Sequence, residues 1–90
     1  MAVGLIFTGK GVTQAQYEQV RDEVTPGNKL APGVLYHAAG PSPDGWCVIE
    51  VWESQEVAEQ FFKTKLEAAL KRANITAQPA FFQVQNIMEA

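Results

Sequence analysis

Short stretches of apolar or alternating residues predict four β-strands. Residues 2–8 are apolar almost throughout, as expected for a central strand. Residues 34–40 and 46–52 are strand-like runs separated by residues 41–45, whose proline, aspartate and glycine suit a tight reversal. Residues 80–87 alternate apolar and polar positions. The two middle strands therefore form an antiparallel hairpin.

Two helices are predicted between these strands. Thr13 followed by Gln16 is a capping-box pattern, and Tyr17, Val20 and Val24 recur at helical spacing, so a helix runs from about residue 13 to 24. The second helix follows Ser54, a good N-cap, and ends near Asn74 after two basic residues. Its apolar positions form one stripe, which is typical of a helix that lies on a sheet: Ala58, Phe61, Phe62, Leu66, Ala69, Leu70 and Ala73.

The element order is therefore βαββαβ. With right-handed crossovers, this order gives a four-stranded antiparallel sheet with both helices on one face, the α+β ferredoxin-like fold. No repeat, linker or low-complexity tract divides the chain, so residues 1–90 are expected to form a single domain.

Both faces of the third strand are apolar, although two helices can cover only one of them. We expect the helices to cover the face that carries Cys47, Ile49 and Val51, because small and branched residues suit close helix packing. If residues 41–45 form a five-residue loop, Tyr36 pairs with Glu50. The face of the third strand that the helices leave uncovered then continues onto the second strand. The residues predicted on this uncovered face are Val34, Tyr36, Trp46, Val48, Glu50 and Trp52.

An uncovered patch containing two tryptophans would approach or exceed the apolar area that a monomer normally exposes. A second copy of the same sheet is the simplest cover, so the sequence predicts a homodimer. Glu50 is unusual on such a face, and we expect it to form a hydrogen bond within the interface, to Tyr36 or to a glutamine of the last strand.

The same pairing places His37 across from Ile49, facing the helices. Tyr17, His37, Ile49 and Phe62 are therefore the candidates for lining a ligand pocket beneath the helices. His37 is a candidate general base or ligand donor because histidine side chains ordinarily change charge near neutral pH, or it is a neutral core residue that binds a backbone carbonyl. A one-residue bulge would instead turn His37 toward Glu50.

Composition and charge exclude several kinds of partner. The chain is 47% hydrophobic and 19% charged, with a net charge of -3 and no basic patch, which argues against nucleic acid. Its longest apolar run is far short of the roughly 20 residues of a membrane helix, and its N-terminal stretch has the pattern of a strand and not of a secretory signal. We expect a cytoplasmic protein in which Cys47 is an inert free thiol. One His and one Cys do not make an ordinary zinc or iron shell, so neither a metal nor another cofactor is expected.

Several motifs resemble one family of proteins. They are HAAG, DGW, VWES leading into a helix with FF, and a last strand reading FFQVQNI. With these motifs the chain resembles the dimeric α+β barrel superfamily, specifically the small proteins related to antibiotic-biosynthesis monooxygenases. The resemblance implies two sheets meeting in a dimer and a ligand pocket between sheet and helices in each subunit.

The resemblance also narrows the expected activity. The haem-degrading branch has an asparagine in its first strand and a histidine in its second helix, and this chain has neither. The quinol-oxidising monooxygenases use no cofactor and hold an aromatic substrate with polar residues. Two hypotheses follow: a cofactor-independent, monooxygenase-like enzyme acting on a small aromatic substrate, or a non-catalytic dimeric module that binds a small apolar ligand or is purely structural.

Overall fold

The computed structural model describes residues 1–90, apart from the side chain of Gln78. The elements in chain order are β1 (Val3–Lys10), α1 (Gln14–Val24), a 3₁₀ turn (Pro26–Asn28), β2 (Val34–Ser42), β3 (Gly45–Trp52), α2 (Gln55–Phe61), a π-helical turn (Phe62–Leu66), α3 (Glu67–Arg72) and β4 (Gln78–Gln83). β2 extends two residues beyond its predicted end, whereas β4 begins and ends earlier than predicted.

The four strands form one antiparallel sheet in the order β2-β3-β1-β4. The helical segments pack on one face of this sheet, so the chain has the ferredoxin-like βαββαβ fold. The prediction of fold class is confirmed. β1 is an inner strand, as expected, and its residues Val3, Leu5 and Phe7 are buried beneath the helices while Ile6 and Thr8 on its opposite face are exposed.

Side-chain caps fix where both helical segments begin. Thr13 Oγ1 accepts a hydrogen bond from the Gln16 amide, and Gln16 Oε1 accepts one from the Thr13 amide at 2.9 Å, which is the predicted capping box. Ser54 Oγ accepts from the amide of Val57 at 3.2 Å. Asn74 has the left-handed conformation that ends helices, with φ of 58°.

The second helical segment is not a continuous α-helix. At its centre the amide of Glu67 bonds to the carbonyl of Phe62, five residues earlier, which defines a π-helical turn. The turn lies directly after Phe61 and ends at Leu66, and both side chains pack against the buried core of the sheet. The pattern of apolar residues does not predict this turn, because its spacings of three and four residues are those of a continuous α-helix.

The β2–β3 hairpin differs from its predicted register. β2 continues to Ser42 and β3 begins at Gly45, so the reversal is shorter than the predicted loop at 41–45. Trp46 consequently pairs with Pro41, and Glu50 pairs with His37 instead of Tyr36. An irregularity between Val34 and Tyr36 then restores the predicted pairing of Val34 with Trp52.

The predicted assignment of the two faces of β3 is wrong. β1 pairs Leu5 with Glu50 and Val3 with Trp52, and paired residues of neighbouring strands share a face. Since Val3 and Leu5 lie beneath the helices, so do the even-numbered residues of β3. The prediction assumed close packing of helix on sheet, whereas the helices stand over a hollow that large side chains line.

The opposite face of the sheet is also apolar, but it carries different residues from those predicted. We call it the open face. Its most exposed large side chains, with the fraction of surface exposed, are Ile6 (37%), Tyr36 (55%), Ile49 (43%) and Phe82 (53%). Small residues separate them: the ring of Phe82 lies where Gly4 has no side chain, and Ala38 pairs with Ile49.

Candidate functional site

His37 and Glu50 are neighbours across the β2–β3 pair. His37 Nδ1 lies 2.7 Å from Glu50 Oε2, and the two side chains keep 30% and 13% of their surface exposed. The shortened hairpin creates this pair, because it shifts β2 by one residue relative to the predicted register. The predicted pairing of His37 with Ile49 is therefore wrong, although His37 does lie beneath the helices as predicted. A shorter turn, and not the one-residue bulge considered from the sequence, brings His37 to Glu50.

Tyr17 extends the pair from the helix side. It lies in the first turn of α1, where its amide bonds to the carbonyl of the cap residue Thr13, and its hydroxyl oxygen is 2.7 Å from His37 Nε2. Burial raises the pKa of the Tyr17 hydroxyl above its ordinary value of 10.0. Tyr17 therefore stays protonated at neutral pH, and when His37 is neutral the Tyr17 hydroxyl donates to His37 Nε2 while the Nδ1–H donates to Glu50.

Trp52 completes the arrangement beneath the helices. Its indole Nε1–H donates to Glu50 Oε1 at 3.0 Å, and the residue is 1% exposed. Each oxygen of the Glu50 carboxylate thus accepts one hydrogen bond, from Trp52 and from His37. The result is a chain of donors from Tyr17 through His37 to a carboxylate held in place by a buried indole.

A cavity of about 140 Å³ lies between the sheet and α1, and we call it the first cavity. Tyr17, His37 and Glu50 line it together with Phe7, Trp46 and Leu70. Apart from the polar chain its wall is mainly apolar, and the guanidinium of Arg21 lies 6.0 Å from the centre of the Tyr17 ring. The cavity therefore combines an apolar interior with a chain of hydrogen-bonded polar side chains at its wall.

Trp46 carries a buried polar atom without a partner. Its ring stacks on Tyr17 with ring centres 5.2 Å apart, yet its Nε1–H finds no hydrogen-bond acceptor among the described residues. An unsatisfied buried donor costs about 1–3 kcal/mol. Trp46 was expected to anchor an interface, and its place beside Tyr17 makes it part of the pocket wall instead.

The structure distributes the predicted pocket residues over three places. Tyr17 and His37 line the first cavity and contact each other. Phe62 lies beside a second cavity, beneath α2 and the π-helical turn. Ile49 lies on the open face and lines neither of these cavities, so its prediction as a pocket residue is wrong.

Most residues predicted for the dimer interface lie in the pocket. Five of them line the first cavity, and their assignment to the interface is corrected: Val34, Trp46, Val48, Glu50 and Trp52. Tyr36 alone of the predicted set lies on the open face. Alternation along β3 had grouped these side chains correctly, but it does not reveal which group faces the helices.

The described part of the chain holds no group of three or more His, Cys, Asp or Glu side chains that could bind a metal ion. Nor do the described residues include a helix long and apolar enough to span a bilayer.

Comparison with known proteins places the fold. No family model and no curated protein matches the sequence. Among solved structures, a mutant of SnoaB, a cofactor-independent oxygenase from Streptomyces nogalater, superposes with a TM-score of 0.70 at 10% identity, covering 99% of this chain and 98% of that one. The chain has the fold of the antibiotic-biosynthesis monooxygenases.

Two further structures agree. A Chloroflexus aurantiacus protein provisionally described as an antibiotic biosynthesis monooxygenase has a TM-score of 0.67 at 20% identity, over 99% of this chain and 98% of that one. The monooxygenase ActVA-Orf6 of Streptomyces coelicolor, in complex with the ligand nanaomycin D, has a TM-score of 0.54 at 17% identity, over 99% and 91%. The fold inferred from the resemblance in sequence is therefore confirmed.

Proposed function

We propose that this protein is a cofactor-independent, monooxygenase-like enzyme that oxidises a small hydroxylated aromatic compound. The observation that carries the proposal is the chain of hydrogen bonds from Tyr17 through His37 to Glu50 at the wall of an apolar cavity. A base hydrogen-bonded to a carboxylate that is only 13% exposed is suited to removing a proton from a phenol.

The size of the first cavity supports a substrate with one aromatic ring. An apolar protein cavity of about 150 Å³ is known to hold one benzene molecule. At about 140 Å³ the first cavity matches that volume. A hydroquinone is therefore a suitable substrate, whereas a fused polycyclic compound would require the pocket to open.

The proposed reaction begins with proton transfer. The substrate hydroxyl donates to Tyr17 Oη, and as it loses its proton to Tyr17, the Tyr17 proton moves to His37 Nε2. The resulting imidazolium is stabilised by the Glu50 carboxylate at 2.7 Å. The phenolate that remains in the cavity is electron-rich and is a much better reductant than the phenol.

Dioxygen then takes one electron from the phenolate, and the superoxide and the substrate radical combine at a ring carbon to form a peroxide. The peroxide takes the proton held by His37, the ring carbon loses its hydrogen as a proton, and the O–O bond breaks so that the outer oxygen leaves as hydroxide, which combines with the released proton to form water. For a hydroquinone the sum is C₆H₆O₂ + O₂ → C₆H₄O₃ + H₂O, with the substrate as the only reductant. The protein supplies the base and the apolar surroundings.

The likeness in fold to SnoaB, described as a cofactor-independent oxygenase, supports this reaction class. An alternative is a non-catalytic module that binds a small apolar ligand. It is favoured by one observation, since Tyr17, His37, Glu50 and Trp52 already satisfy one another without a ligand. Measurement of turnover distinguishes the two.

The test is oxygen consumption with hydroquinone and, as a matched larger compound, 1,4-dihydroxynaphthalene, each corrected for the rate without protein. We expect catalysed uptake with hydroquinone, formation of the hydroxyquinone, and a strong loss of rate in His37→Ala and Tyr17→Phe. Binding of hydroquinone without any uptake would replace the enzyme by the binding module. If the protein neither binds hydroquinone nor consumes oxygen with it, the enzyme and the binding module are both refuted.

We also propose that a second copy of the chain covers the open face. Ile6, Ile49 and Phe82 form an exposed apolar surface on the side of the sheet away from the helices. Small residues between them permit a second sheet to approach to the usual distance of about 10 Å. A homodimer would therefore be built on residues other than the tryptophans.

A further inference from the structure

A second cavity of about 220 Å³ lies on the far side of the pocket wall, beneath α2 and the π-helical turn and beside β4. Ala58, Phe62, Pro79 and Phe81 line this second cavity but not the first. Both cavities are lined by Phe7, Glu50, Trp52, Phe61 and Leu66. These shared side chains form a wall between the two spaces, one layer of side chains thick.

The centre of the wall is a pair of aromatic rings. Trp52 and Phe61 lie with ring centres 5.4 Å apart and planes inclined by 47°. Trp52 is fixed by its hydrogen bond to Glu50 and by burial, whereas Phe61 is half-buried and directly precedes the π-helical turn. The backbone next to Phe61 departs from a regular α-helix. Such π-helical turns often occur at functional sites.

Dioxygen must reach a substrate that fills most of the first cavity. Its volume of about 140 Å³ corresponds to one aromatic ring, yet the proposed reaction needs dioxygen beside that ring. Dioxygen is small and apolar, so it partitions from water into apolar protein cavities, as xenon does. The aromatic and aliphatic lining of the second cavity provides such surroundings.

We propose that the second cavity binds dioxygen and delivers it to the substrate through the wall at Phe61. The inference rests on the proposed function, because it supplies the co-substrate of that reaction. Besides Glu50 in the shared wall, two charged residues line the second cavity: Glu59 and Lys63 are exposed and lie on the helical segment, and Glu59 already accepts a hydrogen bond from Gln55 at 2.8 Å. They mark the solvent side, from which dioxygen enters.

The experiment combines xenon-pressurised crystals of the wild-type protein with two matched variants. Ala58 lines only the second cavity and Ala31 lines only the first, and both are buried alanines. Ala58→Leu extends a side chain into the second cavity, and Ala31→Leu does the same in the first. Steady-state rates are measured while oxygen and hydroquinone are varied separately, after circular dichroism has established that each variant is folded.

We expect xenon in the second cavity and, in Ala58→Leu, a several-fold rise in KM for oxygen with little change in KM for hydroquinone. Ala31→Leu should show the reverse. A second cavity without xenon, or an Ala58→Leu variant that raises KM for hydroquinone alone, would overturn the proposal. The xenon measurement needs no variant, so a second cavity without xenon overturns the proposal even if Ala58→Leu does not fold.

Failure of the proposed function gives a different result. If wild-type protein consumes no oxygen with any hydroquinone, the reaction is refuted, and with it the delivery of oxygen. Xenon bound in the second cavity would then establish a gas-accessible space without an enzymatic role.

Discussion

His37 of β2 and Glu50 of β3 are directly paired residues of adjacent strands, and Nδ1 of the first lies 2.7 Å from Oε2 of the second. Among the described residues, no other acidic or basic side chain of the pocket wall lies within hydrogen-bond distance of His37 or Glu50. The pair is thus the centre of the site, with Tyr17 on one side and Trp52 on the other.

The first prediction concerns Glu50, a positioning residue that acts through His37. In Glu50→Gln the amide keeps an acceptor for Trp52 but cannot stabilise an imidazolium. We expect kcat with hydroquinone to fall by roughly 10²- to 10⁴-fold, the range of general-base effects, with a changed pH profile of kcat. Glu53→Gln, an exposed residue beyond the end of β3, is the matched control and should keep wild-type activity. An unaltered pH profile in Glu50→Gln would contradict the relay.

The second prediction compares the two tryptophans. Trp52→Phe removes a hydrogen bond to a carboxylate, an interaction worth about 1.5–3 kcal/mol, whereas Trp46→Phe removes a donor that has no partner among the described residues. Urea denaturation should therefore show a distinctly larger loss of unfolding free energy for Trp52→Phe. Equal losses of unfolding free energy, or a larger loss for Trp46→Phe, would mean that Trp46 Nε1 has a hydrogen-bond partner in solution.

The third prediction concerns stability at high pH. Burial raises the pKa of Tyr17 in the folded state, so above pH 10.0 the unfolded chain loses this proton before the folded chain does. The unfolded state then binds fewer protons, and the free energy of unfolding decreases as pH rises from 10.0 through the folded pKa. Tyr17→Phe should lack this part of the decrease. The measurement is the free energy of unfolding of both proteins, from urea denaturation between neutral and strongly alkaline pH. The same dependence of this free energy on pH in both proteins would contradict the prediction.

The fourth prediction tests the proposed dimer. Ile49 is 43% exposed at the centre of the open face, and an aspartate there would carry a charge into a sheet-to-sheet interface. Ile49→Asp should sediment as a monomer at concentrations where the wild-type protein is a dimer. Val57→Asp, at a position 37% exposed on α2, is the control and should leave the association unchanged. A wild-type chain that sediments as a monomer at micromolar concentration would exclude the dimer.

Tryptophan fluorescence is not a suitable probe of that association. Trp52 is 1% exposed within one chain, and Trp46 stacks on Tyr17 beneath the helices. Their environment is set by the fold of the monomer, so ligand binding in the first cavity should alter their emission more than dimerisation does.

The cap residues and the grouping of side chains along β3 could be predicted because they depend on local chemistry. Thr13, Ser54 and Asn74 act on backbone groups within a few residues of themselves, and the predicted helix boundaries follow from them. The even-numbered residues of β3 do share a face, as alternation requires. The pairing of His37 with Glu50 could not be fixed in this way, because it depends on the length of the hairpin turn and on one irregularity at Leu35.

The sequence by itself determined the element order, the ferredoxin-like fold and the presence of two apolar faces on one sheet, since each follows from spacing and periodicity along the chain. Only the tertiary structure decided which face the helices cover and therefore which residues line the pocket. Alternation is symmetric between the two faces of a sheet, and the choice is made by packing: the helices stand over a hollow that Trp46, Glu50 and Trp52 line, while Gly4, Ala38 and Ala80 leave the other face flat.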